Sequence, residues 1–173
     1  MNKFRLVSKE AYVEAMKDSF KDYEGDVVIF AESSYNGLKQ PKRATIHSAG
    51  YDFFAPFKIT LPAGETIKFP TGYRVELDPD KFLMVVPRSG LGFKYRCQLD
   101  NTVGIIDADY YFSDNEGQMW VKLTNDSREG KTIEIKAGEA YCQGIILQYH
   151  TTDDDDATGI RNGGMGSTTK RGD

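Results

Sequence analysis

Val121-Lys122-Leu123-Thr124-Asn125-Asp126-Ser127-Arg128-Glu129-Gly130-Lys131-Thr132-Ile133-Glu134-Ile135-Lys136 alternates apolar and polar side chains at both ends of a polar, glycine-containing middle. A period of two sends alternate side chains to opposite faces, so Met119–Thr124 and Thr132–Lys136 each read as a strand with one face toward a core. Asn125–Gly130 between them reads as a hairpin loop. The same kind of run recurs outward from this segment. Val27–Phe30, Tyr51–Ala55, Phe57–Leu61, Thr66–Phe69, Tyr73–Leu77, Phe82–Val86 and Tyr141–Tyr149 are short, β-rich and separated by Gly, Pro or Asp. Strands at this density without crossover helices predict an all-β chain, an antiparallel sandwich, jelly roll or barrel.

Composition agrees. The chain has 173 residues, enough for one domain with a real core, and its 17 glycines favour short strands and tight turns. A formal charge of −4 speaks against non-specific nucleic-acid binding, because such domains are basic on at least one face. No apolar run is long enough to span a bilayer and no leader pattern is present, which predicts a cytoplasmic protein without a membrane partner. Cys97 and Cys142 lie among apolar, β-forming neighbours and read as reduced, buried thiols rather than a disulfide. His47 and His150 are too few and too far apart in sequence to suggest zinc.

Both ends differ from the middle. Ala11, Tyr12, Ala15, Met16, Phe20 and Tyr23 recur at helical spacing, with Ser8 as N-cap and Gly25 as stop, so residues 1–25 read as an N-terminal helical extension. Residues 26–150 read as the β domain. Residues 151–173 hold four consecutive aspartates and almost no apolar side chains, which predicts a mobile tail. That tail carries Arg161-Asn162-Gly163-Gly164-Met165-Gly166-Ser167-Thr168-Thr169, a glycine-rich run suited to closing over a phosphate ligand.

The chemistry is concentrated at 87–110. Pro87-Arg88-Ser89-Gly90-Leu91-Gly92 follows the strand Phe82–Val86 and offers a guanidinium, a hydroxyl and approachable backbone, the parts that hold a phosphate. Gly104-Ile105-Ile106-Asp107-Ala108-Asp109-Tyr110 places two carboxylates two residues apart, on the same side of an extended strand. A carboxylate beside an anionic ligand can deprotonate a water for attack at phosphorus. Each block alone is also what an ordinary polar turn looks like. Asp52, in Ser48-Ala49-Gly50-Tyr51-Asp52, is either a turn residue or an anchor for Mg²⁺, which keeps several waters when it bridges carboxylate and phosphate. Gly166-Ser167-Thr168-Thr169-Lys170 lacks the spacing of a P-loop.

Taken in order, the blocks at 48–52, 87–91, 104–110 and Gly138–Gln143, with the glycine-rich tail and the lead-in Pro41-Lys42-Arg43-Ala44-Thr45, resemble the five ordered motifs of the trimeric dUTPase family over residues 26–169. The resemblance implies a jelly-roll (β-clip) subunit, a homotrimer with sites at subunit interfaces, and Mg²⁺-dependent hydrolysis of dUTP to dUMP and pyrophosphate. It implies Arg88, Ser89 and Gly90 on the phosphates and Gln143 beside them. Asn101, Gly104 and the backbone of Ile105 and Ile106 would read uracil, and Tyr110 would lie under the deoxyribose. Asp107 would be the general base, with Asp109 supporting, and Asp52 would reach Mg²⁺ through water. From the tail, Arg161, Met165, Gly166 and Ser167 would close the site of another subunit, Arg161 on the γ-phosphate.

Three departures from the family pattern stand out. Met165 takes the place of an aromatic or imidazole ring, and the tail spacing after Arg161 is one residue short. Tyr111-Phe112-Ser113-Asp114-Asn115-Glu116-Gly117-Gln118 is an inserted polar-tipped loop, either a tolerated extension or a partner-docking element. With its N-terminal helix, the insertion makes the chain similar to dUTPases of staphylococcal phages, which implies a second role in binding a repressor of mobile pathogenicity islands. A dCTP deaminase or bifunctional deaminase of the same fold is the alternative enzyme, and a mainly regulatory protein the alternative class.

Overall fold

The computed structural model describes residues 1–161 and residue 163. In chain order its elements are β1 (Lys3–Leu6), α1 (Lys9–Ser19), α2 (Val27–Asn36), β2 (Lys42–Arg43), β3 (Tyr51–Phe54), β4 (Ile59–Leu61), β5 (Thr66–Pro70), β6 (Tyr73–Glu76), β7 (Lys81–Pro87), α3 (Ser89–Tyr95), β8 (Cys97–Leu99), β9 (Gly104–Asp107), a 3-10 helix (Ala108–Phe112), β10 (Trp120–Asn125), β11 (Ile133–Ile135) and β12 (Ala140–Gln148). The strand pairs among them are antiparallel. The largest sheet runs β2-β3-β12-β7-β9; β5-β10-β8, β11-β4 and β1-β6 complete the layers. The all-β jelly-roll expectation is met.

Between the layers lies one core, in which Phe69, Leu83, Leu123, Ile133, Ile135 and Tyr141 are essentially inaccessible. Each such large apolar side chain contributes about 1.5–3 kcal/mol by leaving water. Edge-on and tilted aromatic contacts knit the layers. Phe57 meets Phe69 with ring centres 5.4 Å apart. Phe69 meets Tyr141 with ring centres 5.3 Å apart. Both cysteines are free and buried, as read from sequence, and burial pushes the Cys97 thiol up to about 11.

The N-terminal stretch departs from its reading in three places, the first being that Lys3–Leu6, inside the expected helical extension, forms β1 against β6. Ser8 does cap α1, its hydroxyl accepting from the Ala11 amide at 3.1 Å, but the helix ends at Ser19, short of Gly25. Val27–Phe30, expected as a strand, opens α2 instead. Asp26 accepts from the amides of Val28 and Ile29, and Gly37 closes the helix, so caps override the strand preference of a β-branched run. Phe30 then packs edge-on against Phe20 at 5.7 Å, joining α2 to the segment following α1.

The loop 125–130 is not a hairpin. β10 pairs with β5 and β8, whereas β11 pairs with β4 in another layer. Fully buried Asn125 makes the transfer, its amide donating to the carbonyls of Leu61 and Lys131, both at 2.8 Å. Alternation shows which face each strand buries, and the partner comes from elsewhere in the chain.

Candidate active site

β9 is the outer strand of the five-stranded sheet, bonded to β7 along one edge only, so its other edge presents backbone donors and acceptors among the described residues. The approach to it is a tight turn. Thr102 takes a left-handed φ of 66° and its amide donates to the Leu99 carbonyl at 2.8 Å. Asp100, ion-paired with Lys122 and accepting from Thr124, fixes the turn that carries Asn101. Lys122 foremost, and Thr124 with it, hold the Asp100 carboxyl below its ordinary range.

A cavity of about 190 Å³ opens here. Asn101, Gly104, Ile105, Ile106, Asp107, Tyr110 and Arg161 line it, so these residues, each singled out in the sequence, come together. Its inner wall is apolar, from Phe53, Val85, Leu99 and Met119. Such a site suits a flat ring read along its edge by the free backbone of β9.

Asp107 and Asp109 do not share one extended strand as expected. β9 stops at Asp107, and the chain turns into the 3-10 helix that contains Asp109 and Tyr110. The two carboxylates are nonetheless joined through one cation. Arg161 places Nη2 2.6 Å from Asp107 Oδ2 and Nε 2.9 Å from Asp109 Oδ1, with its guanidinium 5.9 Å from the centre of the Tyr110 ring. In the single chain Arg161 therefore sits on the acidic pair. Thr151–Ile160 ahead of it are exposed and form no helix or strand. Met165, Gly166 and Ser167 lie outside the described residues.

The phosphate-binding candidates form a second group. Arg88 has extended backbone and opens α3, a short helix whose first residues are Ser89 and Gly90; what reads as a polar turn is thus a helical one. The Arg88 guanidinium lies 3.4 Å from the mostly buried Asp52 carboxylate, which aims it without covering it. Gln143 stands opposite Asp52 on β3 and opposite Val86 on β7, and a side chain on Gly50 would collide with its amide. Asp52, Arg88, Ser89, Gly90 and Gln143 thus gather at one end of the β3–β12–β7 strands. Arg88, Ser89 and Gly90 line an open concavity separate from the first.

Strand register gives the spacing between the groups. Asp107 faces Phe82 near the start of β7, whereas Arg88 follows the end of that strand. At about 3.3 Å per residue, the run from 82 to 88 separates these backbone positions by about 20 Å. That is much further than neighbouring phosphates of one nucleotide lie from each other.

The sequence reading missed how Tyr110 is held. The residue is 7% exposed, and its hydroxyl donates to the Gln118 carbonyl at 3.0 Å and accepts from Asn115 Nδ2 at 2.9 Å. Burial raises the phenol above its ordinary value, with Asn115 partly offsetting it. Both partners come from the inserted loop, and the available signal was the Asn-x-Gly turn pattern at 115–117.

Among the described residues, no helix is long and apolar enough to cross a membrane, and no three His, Cys, Asp or Glu side chains gather as a metal cage. Residues 37–169 match the family model for dUTPase. The deoxyuridine 5'-triphosphate nucleotidohydrolase of Lactococcus lactis is 38% identical over 135 residues, 76% of this chain and 89% of that protein. The Escherichia coli protein of the same name is 34% identical over 139 residues, 76% of this chain and 87% of its own. The crystal structure of Streptococcus mutans dUTPase superposes with a TM-score of 0.62 at 28% identity, covering 87% of this chain and 98% of that one. A dUTPase from phage phi11 of S. aureus, described with a species-specific insert, superposes at 0.61 and 18% identity over 92% and 97%, a likeness of fold. With three quarters of its length matched to a relative of that activity and the family model spanning the same region, the chain belongs to the dUTPase family.

Proposed function

We propose that the chain hydrolyses dUTP to dUMP and pyrophosphate at a site shared between two copies of itself in a homotrimer. The observation that carries this is the division of the site residues: a nucleoside-sized cavity bearing Asp107 at one end of β7 and a guanidinium cradle at the other. With Asp107 opposite the start of β7 and Arg88 beyond its end, a ring of copies can bring the cradle of one to the cavity of the next.

In that arrangement the outer edge of β9 pairs with the polar edge of uracil. Cytosine would leave those fixed backbone groups unpaired, a mismatch that discriminates strongly. Tyr110 floors the sugar and leaves no room for a 2′-hydroxyl. Asp107, half exposed, takes the proton of a water aligned with the α-phosphorus, and Arg88 with the Ser89 hydroxyl stabilises charge on the departing phosphates. Arg161 must give up Asp107 for this step, and the phosphate charge of bound substrate competes for its guanidinium.

Asp52 fits an outer contact to Mg²⁺. It is one carboxylate without a metal cage around it among the described residues, which suits an ion that keeps its waters and takes its remaining ligands from phosphates. Bound there, Mg²⁺ would neutralise phosphate charge. Arg88, held by Asp52, would stay oriented toward the same phosphates.

The test is pyrophosphate release from dUTP, dCTP, dTTP and UTP with and without Mg²⁺, with ammonia followed for dCTP. Arg88→Ala and Asp107→Asn should each be inactive alone. Mixed and reassembled at equal amounts, they should regain roughly a quarter of the sites, the share pairing an intact cradle with an intact base under random mixing. No recovery in proven mixed oligomers would refute the shared site. Ammonia release from dCTP would favour the deaminase.

A regulatory contact with a repressor protein is a second reading, favoured by the outward side of the insertion. Phe112 is 79% exposed beside exposed Asp114, while the rest of the loop is turned into the fold. Phe112→Ala should then weaken repressor binding in a pull-down and leave turnover unchanged.

A further inference from the structure

We propose that the inserted loop 111–118 is the positioning element for Tyr110, with Asn115 as the residue that sets the ring against the sugar of the bound nucleotide. The inference rests on the dUTP reading of the cavity and assigns to it a residue outside the five motifs.

Tyr110 closes the cavity from a 3-10 helix one residue beyond Asp109, a short element with little stiffness of its own. Its ring direction is fixed at the far end, where the hydroxyl is held between the Asn115 amide and the Gln118 carbonyl. Asn115 is itself fixed. Nδ2 also donates to the Gln118 carbonyl at 3.2 Å, and Oδ1 accepts from the Gly117 amide at 3.2 Å.

The next residue ties the loop to the body of the protein. The Glu116 carboxylate accepts from the Ser8 amide at 2.8 Å and the Ser8 hydroxyl at 2.6 Å. Arg74 lies over the Tyr111 ring at 4.3 Å and donates to the Glu116 carbonyl at 3.4 Å. Gln118 Nε2 reaches the Ala11 carbonyl on α1 at 3.5 Å. The start of α1, its cap and β6 thus clamp one loop around one tyrosine hydroxyl.

The experiment compares Asn115→Ala with wild type in steady-state turnover of dUTP and UTP. KM for dUTP should rise about three- to tenfold with kcat within about twofold, the span one lost hydrogen bond supports. Preference for dUTP over UTP should fall by a similar factor. In a Tyr110→Phe background, which lacks the hydroxyl, Asn115→Ala should add nothing further. Ser8→Ala, which loosens the clamp without touching Tyr110, should lower thermal stability and lower the preference by a smaller factor than Asn115→Ala does.

A readout independent of turnover is the Tyr110 phenol, followed by NMR of labelled tyrosine. It should titrate higher in Asn115→Ala, because the removed amide favours the charged form. If Asn115→Ala lowers the melting temperature while the dUTP/UTP ratio and the phenol titration stay at wild-type values, the inference is overturned. Absence of dUTP turnover in the wild type would instead overturn the functional reading, and the phenol titration would still decide whether Asn115 holds the ring.

Discussion

Gly117→Ala is the sharpest perturbation of this fold. Gly117 adopts φ +68°, in the left-handed region. An alanine held there loses about 1–2 kcal/mol to the clash of its Cβ with the following carbonyl. That Cβ would also stand 2.7 Å from the Tyr110 carbonyl oxygen, 2.7 Å from the Tyr111 Cα and 2.8 Å from the Tyr111 carbonyl oxygen. All three atoms are backbone, so no rotamer change relieves the contact and overpacking adds about 1–3 kcal/mol. The sum is roughly 2–5 kcal/mol, a fall in melting temperature of about 4–20 °C for a chain of this size. Gly130 supplies the control, since it has the same φ of +68° with nothing within 4 Å of the added Cβ. Gly130→Ala should therefore lose only the conformational part, about 2–8 °C. Calorimetry on the two variants at equal protein concentration separates the contributions. Equal melting temperatures would refute the claim that the Tyr110–Tyr111 backbone packs directly on Gly117.

Asp107→Asn should lower kcat by about 10²–10⁴-fold, the range for loss of a general base, while calorimetric titration with a non-hydrolysable dUTP analogue still shows binding. Truncation after Asp156 removes Arg161 and the glycine-rich run; turnover should fall strongly. The melting temperature should move by less than about 4 °C, because the two ion pairs of Arg161 end on half-exposed carboxylates and such contacts contribute about 0–1 kcal/mol. Acid acts through Glu116. The Ser8 hydroxyl foremost, and then the Ser8 amide, hold its carboxyl below the ordinary value. A depressed carboxylate stabilises the fold above its unfolded value and loses that contribution as pH falls through the folded one. Glu116→Gln should accordingly flatten the acid limb of melting temperature against pH below about 4.5 and leave the neutral limb parallel to wild type.

How far the chain can be read from its sequence follows from which interactions are local. Thr132–Lys136 and Val121–Thr124 alternate cleanly, and Ile133, Ile135, Val121 and Leu123 are buried as that pattern requires. Alternation carries no information about the neighbouring strand; adjacency in the chain points β11 to β10, whereas its partner is β4. The run Val27-Val28-Ile29-Phe30 misleads in another way. Its β-branched side chains state a preference, but the Asp26 cap and the packing of Phe30 on Phe20 decide the outcome. Arg88-Ser89-Gly90 is legible as chemistry and not as structure, because the glycines within Ser89–Tyr95 hide a helix that tertiary contact completes. At 104–110 the residues stand out and the geometry does not. The turn after Asp107 is set by Tyr110 meeting its partners at 115 and 118, and nothing within the motif announces them.

Those partners make sense of the insertion. A loop longer than the family pattern would, if merely tolerated, make its contacts with solvent. Here Ser113, Gly117 and Gln118 are buried, and Asn115 and Glu116 turn inward to Tyr110 and to the start of α1. Ser8 serves both sides of that junction. Its hydroxyl oxygen accepts from the Ala11 amide to cap α1 while its proton goes to Glu116, as one donor with two acceptor positions allows. The cap that starts the N-terminal helix and the clamp that secures the loop are therefore the same atom. The helix, which has no counterpart among the motif residues, is in this way mechanically continuous with the tyrosine that floors the cavity. Two features that look like separate additions to a β framework, one at the N-terminus and one after the third motif, form a single support for one side chain.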